Sequence, residues 1–174
     1  MSLAYPALPL FVAGLLAACS PALNWREARL PDAPVQLLFP CKPERTQRGV
    51  PLDGAIRSMT MLSCDADGLV FALTYARVDA AADRPAVLSA WQRVTLGNLS
   101  AAATAALPVP QALAGATAQG ASVQGRRPDG RALAAELLWF AVGPWAFQAS
   151  VLTQDAGPMP AAPAAAFWAG IRTP

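Results

Sequence analysis

The spacing of hydrophobic positions changes several times along the chain, and each change predicts an element. Leu10 to Ala18 is a continuous run of apolar and small residues. Its length suits the hydrophobic region of a secretory signal peptide and falls short of the about 20 residues a membrane-spanning helix requires. Residues 20–34, "SPALNWREARLPDAP", read as a short tether with Trp25 as a first packing contact. In "VQLLFP" the apolar positions Val35, Leu37 and Phe39 alternate and stop at Pro40, which predicts a short strand. A polar loop is expected over 41–54.

Two β-rich runs come next, "AIRSMTMLSC" and "LVFALTYARV", joined by Asp65-Ala66-Asp67-Gly68. An Asp-Gly pair between such runs is a strong hairpin signal. The second run is apolar on both faces (Leu69, Phe71 and Leu73 against Val70, Ala72 and Ala76), as expected of a central strand covered by helix on at least part of one face. Pro85 suits a first helical position. Beyond it Leu88, Trp91, Thr95 and Leu99, flanked by Val87 and Val94, recur at helical spacing and predict a helix over 85–103. Its stripe reads as a core face, with a partner-binding groove as the alternative.

Residues 104–120 are small, with Pro and Gly, and read as a mobile connection. Three strands are expected after it. "ASVQGRR" meets "RALAAELLWFA" through Pro128-Asp129-Gly130, and Gly143-Pro144 turns into "WAFQASVLTQ". There Trp145, Phe147, Ala149 and Val151 alternate with Gln148 and Ser150, a half-buried pattern. A short helix over 162–168 carries Phe167 and Trp168 toward the core, and Ile171 to Thr173 predict a final edge segment. This order predicts an α+β fold: an antiparallel β-sheet with one long and one short helix packed on it, preceded by a lipoprotein signal peptide.

A length of 174 residues fits one domain plus a processing segment: a signal peptide over 1–18, a lipidated cysteine and tether over 19–34, and a single domain over 35–174. Charged residues are only 14% of the chain, and the net charge of +2 is too small to indicate a nucleic-acid partner. Histidine is absent, which removes the commonest general base and metal ligand. "DADG" at 65–68 begins like a calcium loop but lacks its spacing and closing Glu, so it reads as a turn. Neither a phosphate-binding Gly-rich loop nor a G-x-S-x-G elbow is present. Glu136 lies inside a strand pattern and is expected to face solvent rather than act as a catalytic acid. No catalytic residue, metal or cofactor is expected.

Leu16-Ala17-Ala18-Cys19 resembles the lipobox of bacterial lipoproteins. Small residues at 17 and 18 let the backbone enter the signal peptidase cleft, and the Cys19 thiol receives the lipid. More than one acyl chain then holds the protein stably on the membrane. The first ten residues lack the Lys or Arg usual in a signal peptide. The alternative is an uncleaved anchor, or a buried helix with a chance cysteine. Ser20, rather than Asp, favours the periplasmic face of the outer membrane.

With Cys19 assigned to lipid, Cys41 and Cys64 remain. In an oxidising compartment the simplest reading is one structural disulfide closing a loop of roughly 22 residues, for about 3 kcal/mol. Free thiols are the alternative; redox and metal roles lack a C-x-x-C spacing and a histidine. Arg126, Arg127 and Arg131 cluster around one turn, either as a solvated tip or as a contact with lipid headgroups, lipopolysaccharide or an acidic partner.

The lipobox, "NWRE" at 24–27, "FPCKPE" at 39–44, the cysteine at 64 and the closing "FWAGIR" together resemble a family of small lipoproteins of β-proteobacteria. That resemblance implies an address and a disulfide, and no substrate. The F-P strand end and the aromatic pair before a last short strand are also similar to the PsbP-like α/β sandwich, whose members mostly act as accessory or binding proteins. The expectation is a non-enzymatic, lipid-anchored envelope protein acting as a binding or assembly accessory, with the membrane and an envelope protein as partners. The alternative is a small-ligand or lipid-binding module with its cavity between the 85–103 helix and the sheet. A carboxylate-dependent hydrolase is a third reading. Oligomeric state is not legible in the sequence.

Overall fold

A computed structural model describes residues 23–173. The segment expected as a signal peptide, with Leu16, Ala17, Ala18 and Cys19, lies outside the described residues.

The chain builds a large antiparallel sheet from β3 (Glu44–Leu52), β4 (Ala55–Ala66), β5 (Leu69–Arg77), β6 (Ala102–Leu107), β7 (Ala118–Arg126), β8 (Ala132–Val142) and β9 (Trp145–Thr153). Their spatial order is β3-β4-β5-β9-β8-β7-β6. Two Asp-Gly pairs make the first two turns. Asp53 and Gly54 have φ of 52° and 74°, and Asp67 and Gly68 have 51° and 73°. This left-handed backbone is open to Gly, tolerated by Asp, and matches the twist of paired strands. After β5 the helix α1 (Arg84–Asn98) carries the chain across one face to the far edge. The β6–β9 meander then returns until β9 closes against β5.

Strand alternation assigns each face a different cover. Ala76, Val123, Leu133, Leu137 and Trp139 lie under α1, which buries Val87, Leu88, Ala90 and Trp91. Phe71, Leu73, Tyr75, Leu138, Phe140 and Phe147 point to the other side. There they meet α2 (Ala161–Ala169) and a separate hairpin of β1 (Arg26–Arg29) and β2 (Gln36–Phe39). Arg172 then bridges Gln36, the expected final edge segment. The α+β expectation, with a longer and a shorter helix on an antiparallel sheet, is met.

Several local expectations are not. The helix ends at Asn98, since Ser100 turns into the left-handed region at φ 46° and the chain re-enters the sheet. Residues 102–107 form edge strand β6, 111–113 a single 3-10 turn and β7 begins at 118, in place of the helix expected to 103 and the mobile connection expected over 104–120. Alanine-rich sequence has little preference of its own in this setting, so pairing with β7 decides its conformation. Glycines on β7 allow that close approach: a Cβ on Gly120 would stand 2.5 Å from the Leu107 carbonyl oxygen, and one on Gly125 2.6 Å from that of Leu99.

The polar loop expected over 41–54 is mostly β3, whose exposed edge position removes the apolar alternation that marks interior strands. Of the tether expected over 20–34, residues 20–22 lie outside the described residues, Arg26–Arg29 form β1, and Trp25 packs edge-on to Phe71 at 6.2 Å. Strand β9 is covered on both faces, not half-buried, because it is the middle strand; Ser150 is buried.

Candidate functional site

Only the first half of α1 is core. Past Trp91 no residue of the helix is fully buried: Leu96 packs against the core only in part, and Val94 is 46% exposed. The short side chains of Thr74 and Ser150 beneath it leave space that Val94 and Thr95 do not fill. The result is a cleft of about 260 Å³ along one flank of α1. Trp91, Thr95 and Asn98 form its helical wall, and Thr46, Arg48 and Val50 of β3 form the opposite wall. Met59 and Met61 of β4, with Leu137 and Leu152, supply apolar floor. The helical stripe read as a core face therefore divides: Leu88 serves the core, Trp91 and Leu99 touch both core and cleft, and Val94 and Thr95 line the cleft.

Gln148 is the cleft's best-fixed polar group. Its Oε1 accepts the Trp139 indole N–H at 2.7 Å and the Thr95 hydroxyl at 2.6 Å. An indole nitrogen can only donate, so the amide oxygen must face Trp139. The two Nε2 donors are left without a partner among the described residues. Replacing Gln148 by Leu orphans the indole N–H and is expected to lower stability by about 1–3 kcal/mol. Thr95→Val removes a donor but leaves Oε1 bound to Trp139, and is expected to lower it by about 1 kcal/mol or less. Urea unfolding of the two variants checks the ranking; equal losses would mean Gln148 does not set this geometry.

No carboxylate lines the cleft, and its one cation is the exposed Arg48. Donors and polarisable apolar surface equip it to hold a ligand with acceptor oxygens and an apolar body.

The residues singled out in the sequence fall elsewhere. Cys41 and Cys64 bring their sulfurs to bonding distance, 2.14 Å, with Cα atoms 6.0 Å apart. Cys64 belongs to the face opposite α1, so the bridge fastens the β2 end to β4 away from the cleft. Arg126, Arg127 and Arg131 do not converge on one point. Arg126 Nη1 donates to the Gly130 carbonyl at 3.0 Å, Arg127 Nη2 to that of Thr153 at 2.7 Å, and Arg131 Nε to Asp129 at 2.8 Å. The Arg131 backbone N–H, then its guanidinium, hold the Asp129 carboxyl below its ordinary range.

Glu136 is not solvent-facing. It is half-buried beside α2 and accepts the Trp168 indole N–H at 2.5 Å, because β8 is covered on both faces. Among the described residues no three His, Cys, Asp or Glu gather as a metal site, and no helix is long and apolar enough to cross a membrane. Sequence reading missed Gln148, Met59, Met61 and Arg48. Gln148 left one signal: a long polar side chain in a strand whose other polar residues, Ser150 and Thr153, are small.

No family model and no curated protein matches the chain. A solved structure of a protein of unknown function from Pseudomonas aeruginosa is 16% identical, covers 79% of this chain and 99% of its own, and superposes with a TM-score of 0.35.

Proposed function

We propose that this is a lipid-anchored protein of the bacterial cell envelope whose α+β domain binds a ligand in the cleft beside α1. The lipobox at Cys19 supports the anchor, and a Cys41–Cys64 bridge suits an oxidising compartment. One observation carries the binding role. The cleft is built from flexible methionines and a Gln148 amide whose oxygen is fully engaged while its donors are free. Those donors are not among the buried unpaired groups, so they open onto the cleft and are available to a ligand's acceptor oxygens. The Trp25 end of the folded region enters on the opposite face, against Phe71, so anchoring leaves the cleft open.

The test places a photocrosslinking residue at Val94 in the full chain, expressed in a double-membraned bacterium. The washed membrane fraction is irradiated and analysed by intact mass. A discrete small-mass adduct is expected there, absent when the probe sits at Val109 and absent when Thr74→Trp fills the cleft. A protein-sized adduct at Val94 would instead favour the accessory role, and no adduct would overturn the cleft. Cys19→Ser is expected to move the protein to the soluble fraction; retention after a high-salt wash would overturn the anchor.

A further inference from the structure

The β3–β4 hairpin carries two arginines outside the ion pairs of the described residues, Arg48 on the cleft wall and Arg57 beside it. Its register sets Arg48 opposite Met59 and Arg57 opposite Val50. Alternation puts Arg57 on the same face as Met59 and Met61. Arg48 and Arg57 are thus diagonal neighbours across the hairpin, about 7–8 Å apart by strand geometry. The ion pairs of the described residues, Arg29–Glu27, Arg45–Asp32, Arg77–Asp79 and Arg131–Asp129, include neither. Arg57 Nε is moreover buried without a hydrogen-bond partner. Two guanidinium groups beside a wall that holds no carboxylate repel each other and raise the local potential, a cost that a bound anion removes. Their planar forks suit a carboxylate or phosphate.

Beyond the arginines the surface becomes apolar and adaptable. Met59 and Met61 lead inward to Leu137 and Leu152. Unbranched methionines shape themselves to a chain without demanding a fixed shape from it. A volume of about 260 Å³ holds eight or nine groups of about 30 Å³ each. That is room for one chain of medium length.

We infer that the cleft binds a single-chain anionic amphiphile, its carboxylate or phosphate head held by Arg48 and Arg57 and its chain laid along Met59 and Met61. The inference rests on the binding role given to the cleft above and names the ligand's chemistry.

Calorimetric titration of the full chain with decanoate, decyl phosphate and neutral decyl glucoside, each below its micellar concentration, tests it. The anionic ligands are expected to bind at least about tenfold more tightly than the neutral one, and the tighter of the two identifies the head. The Arg48→Gln/Arg57→Gln double variant is expected to lose about tenfold or more for the anions and to bind the neutral ligand unchanged, which also reports that it is folded. Raising salt should weaken only the anions. Neutral and anionic ligands binding alike, or full affinity in the double variant, would overturn the anionic head while leaving the cleft as a binding site. No binding by any amphiphile would overturn the inference, and a Val94 adduct formed alongside that result would show the cleft reading surviving it.

Discussion

Replacing Phe167 with alanine is expected to destabilise the domain by about 3–5 kcal/mol. Phe167 is fully buried, and its ring meets Phe39 of β2 at 5.6 Å, Phe71 of β5 at 5.3 Å and Trp168 at 5.1 Å. It therefore joins α2, the β1–β2 hairpin and the central sheet at one point. Truncation loses the burial of the ring and leaves a cavity between three elements that cannot all close on it together. Urea unfolding monitored by tryptophan fluorescence measures the loss. Ile56→Ala, at a site 73% exposed, is the matched control and should change stability by about 0.5 kcal/mol or less. A loss below about 1 kcal/mol for Phe167→Ala would mean that α2 does not anchor this layer.

Removing the Cys41–Cys64 bridge by double substitution to alanine is expected to cost about 3 kcal/mol, and the cost should be unevenly placed. The bridged residues are 23 apart in sequence, so the closed loop holds the whole of β3 and most of β4. The bridge also ties the end of β2 to the large sheet. Among the described residues no ladder of backbone hydrogen bonds joins β1 and β2 to that sheet. That layer otherwise rests on side-chain packing through Leu30, Val35, Leu37 and Phe39. Hydrogen exchange should consequently quicken most at residues 25–39, while the centre of β8 and β9 stays protected. Uniform loss of protection would mean the bridge acts on the unfolded chain alone, and an unchanged midpoint would mean it does not contribute.

The cleft connects packing with function. Tight burial of Val87, Leu88 and Trp91 fixes the first half of α1, while the second half, partly packed through Leu96, borders the cleft over the short side chains of Thr74 and Ser150. The face bearing α2 and the β1–β2 hairpin is filled with aromatic rings, including Phe140 stacked on Phe147 at 4.8 Å. If the proposed anchor holds, a tether entering at that filled face would leave the cleft on the other face open.

Local period and turn chemistry wrote part of this fold directly into the chain. Asp67-Gly68 placed its hairpin because few residues tolerate the left-handed turn. The alternation of Val35, Leu37 and Phe39, the doubly apolar β5, and the pairing of Phe167 with Trp168 each located an element, because burial on a chosen face leaves a period in the chain. The two remaining cysteines pointed to a bridge by number and setting. Only tertiary packing decided the rest. β3 and β6 are edge strands, mostly exposed, and so carry no apolar period to read. Ser150 and Gln148 looked like a solvent face because polarity in a strand usually means water; the central position of β9 placed them under α1 instead. Glu136 was turned from surface to anchor in the same way, by Trp168 arriving from 32 residues away. The cleft itself is assembled from one helix and five strands, and no local pattern can encode a space between segments that meet only when the chain has folded.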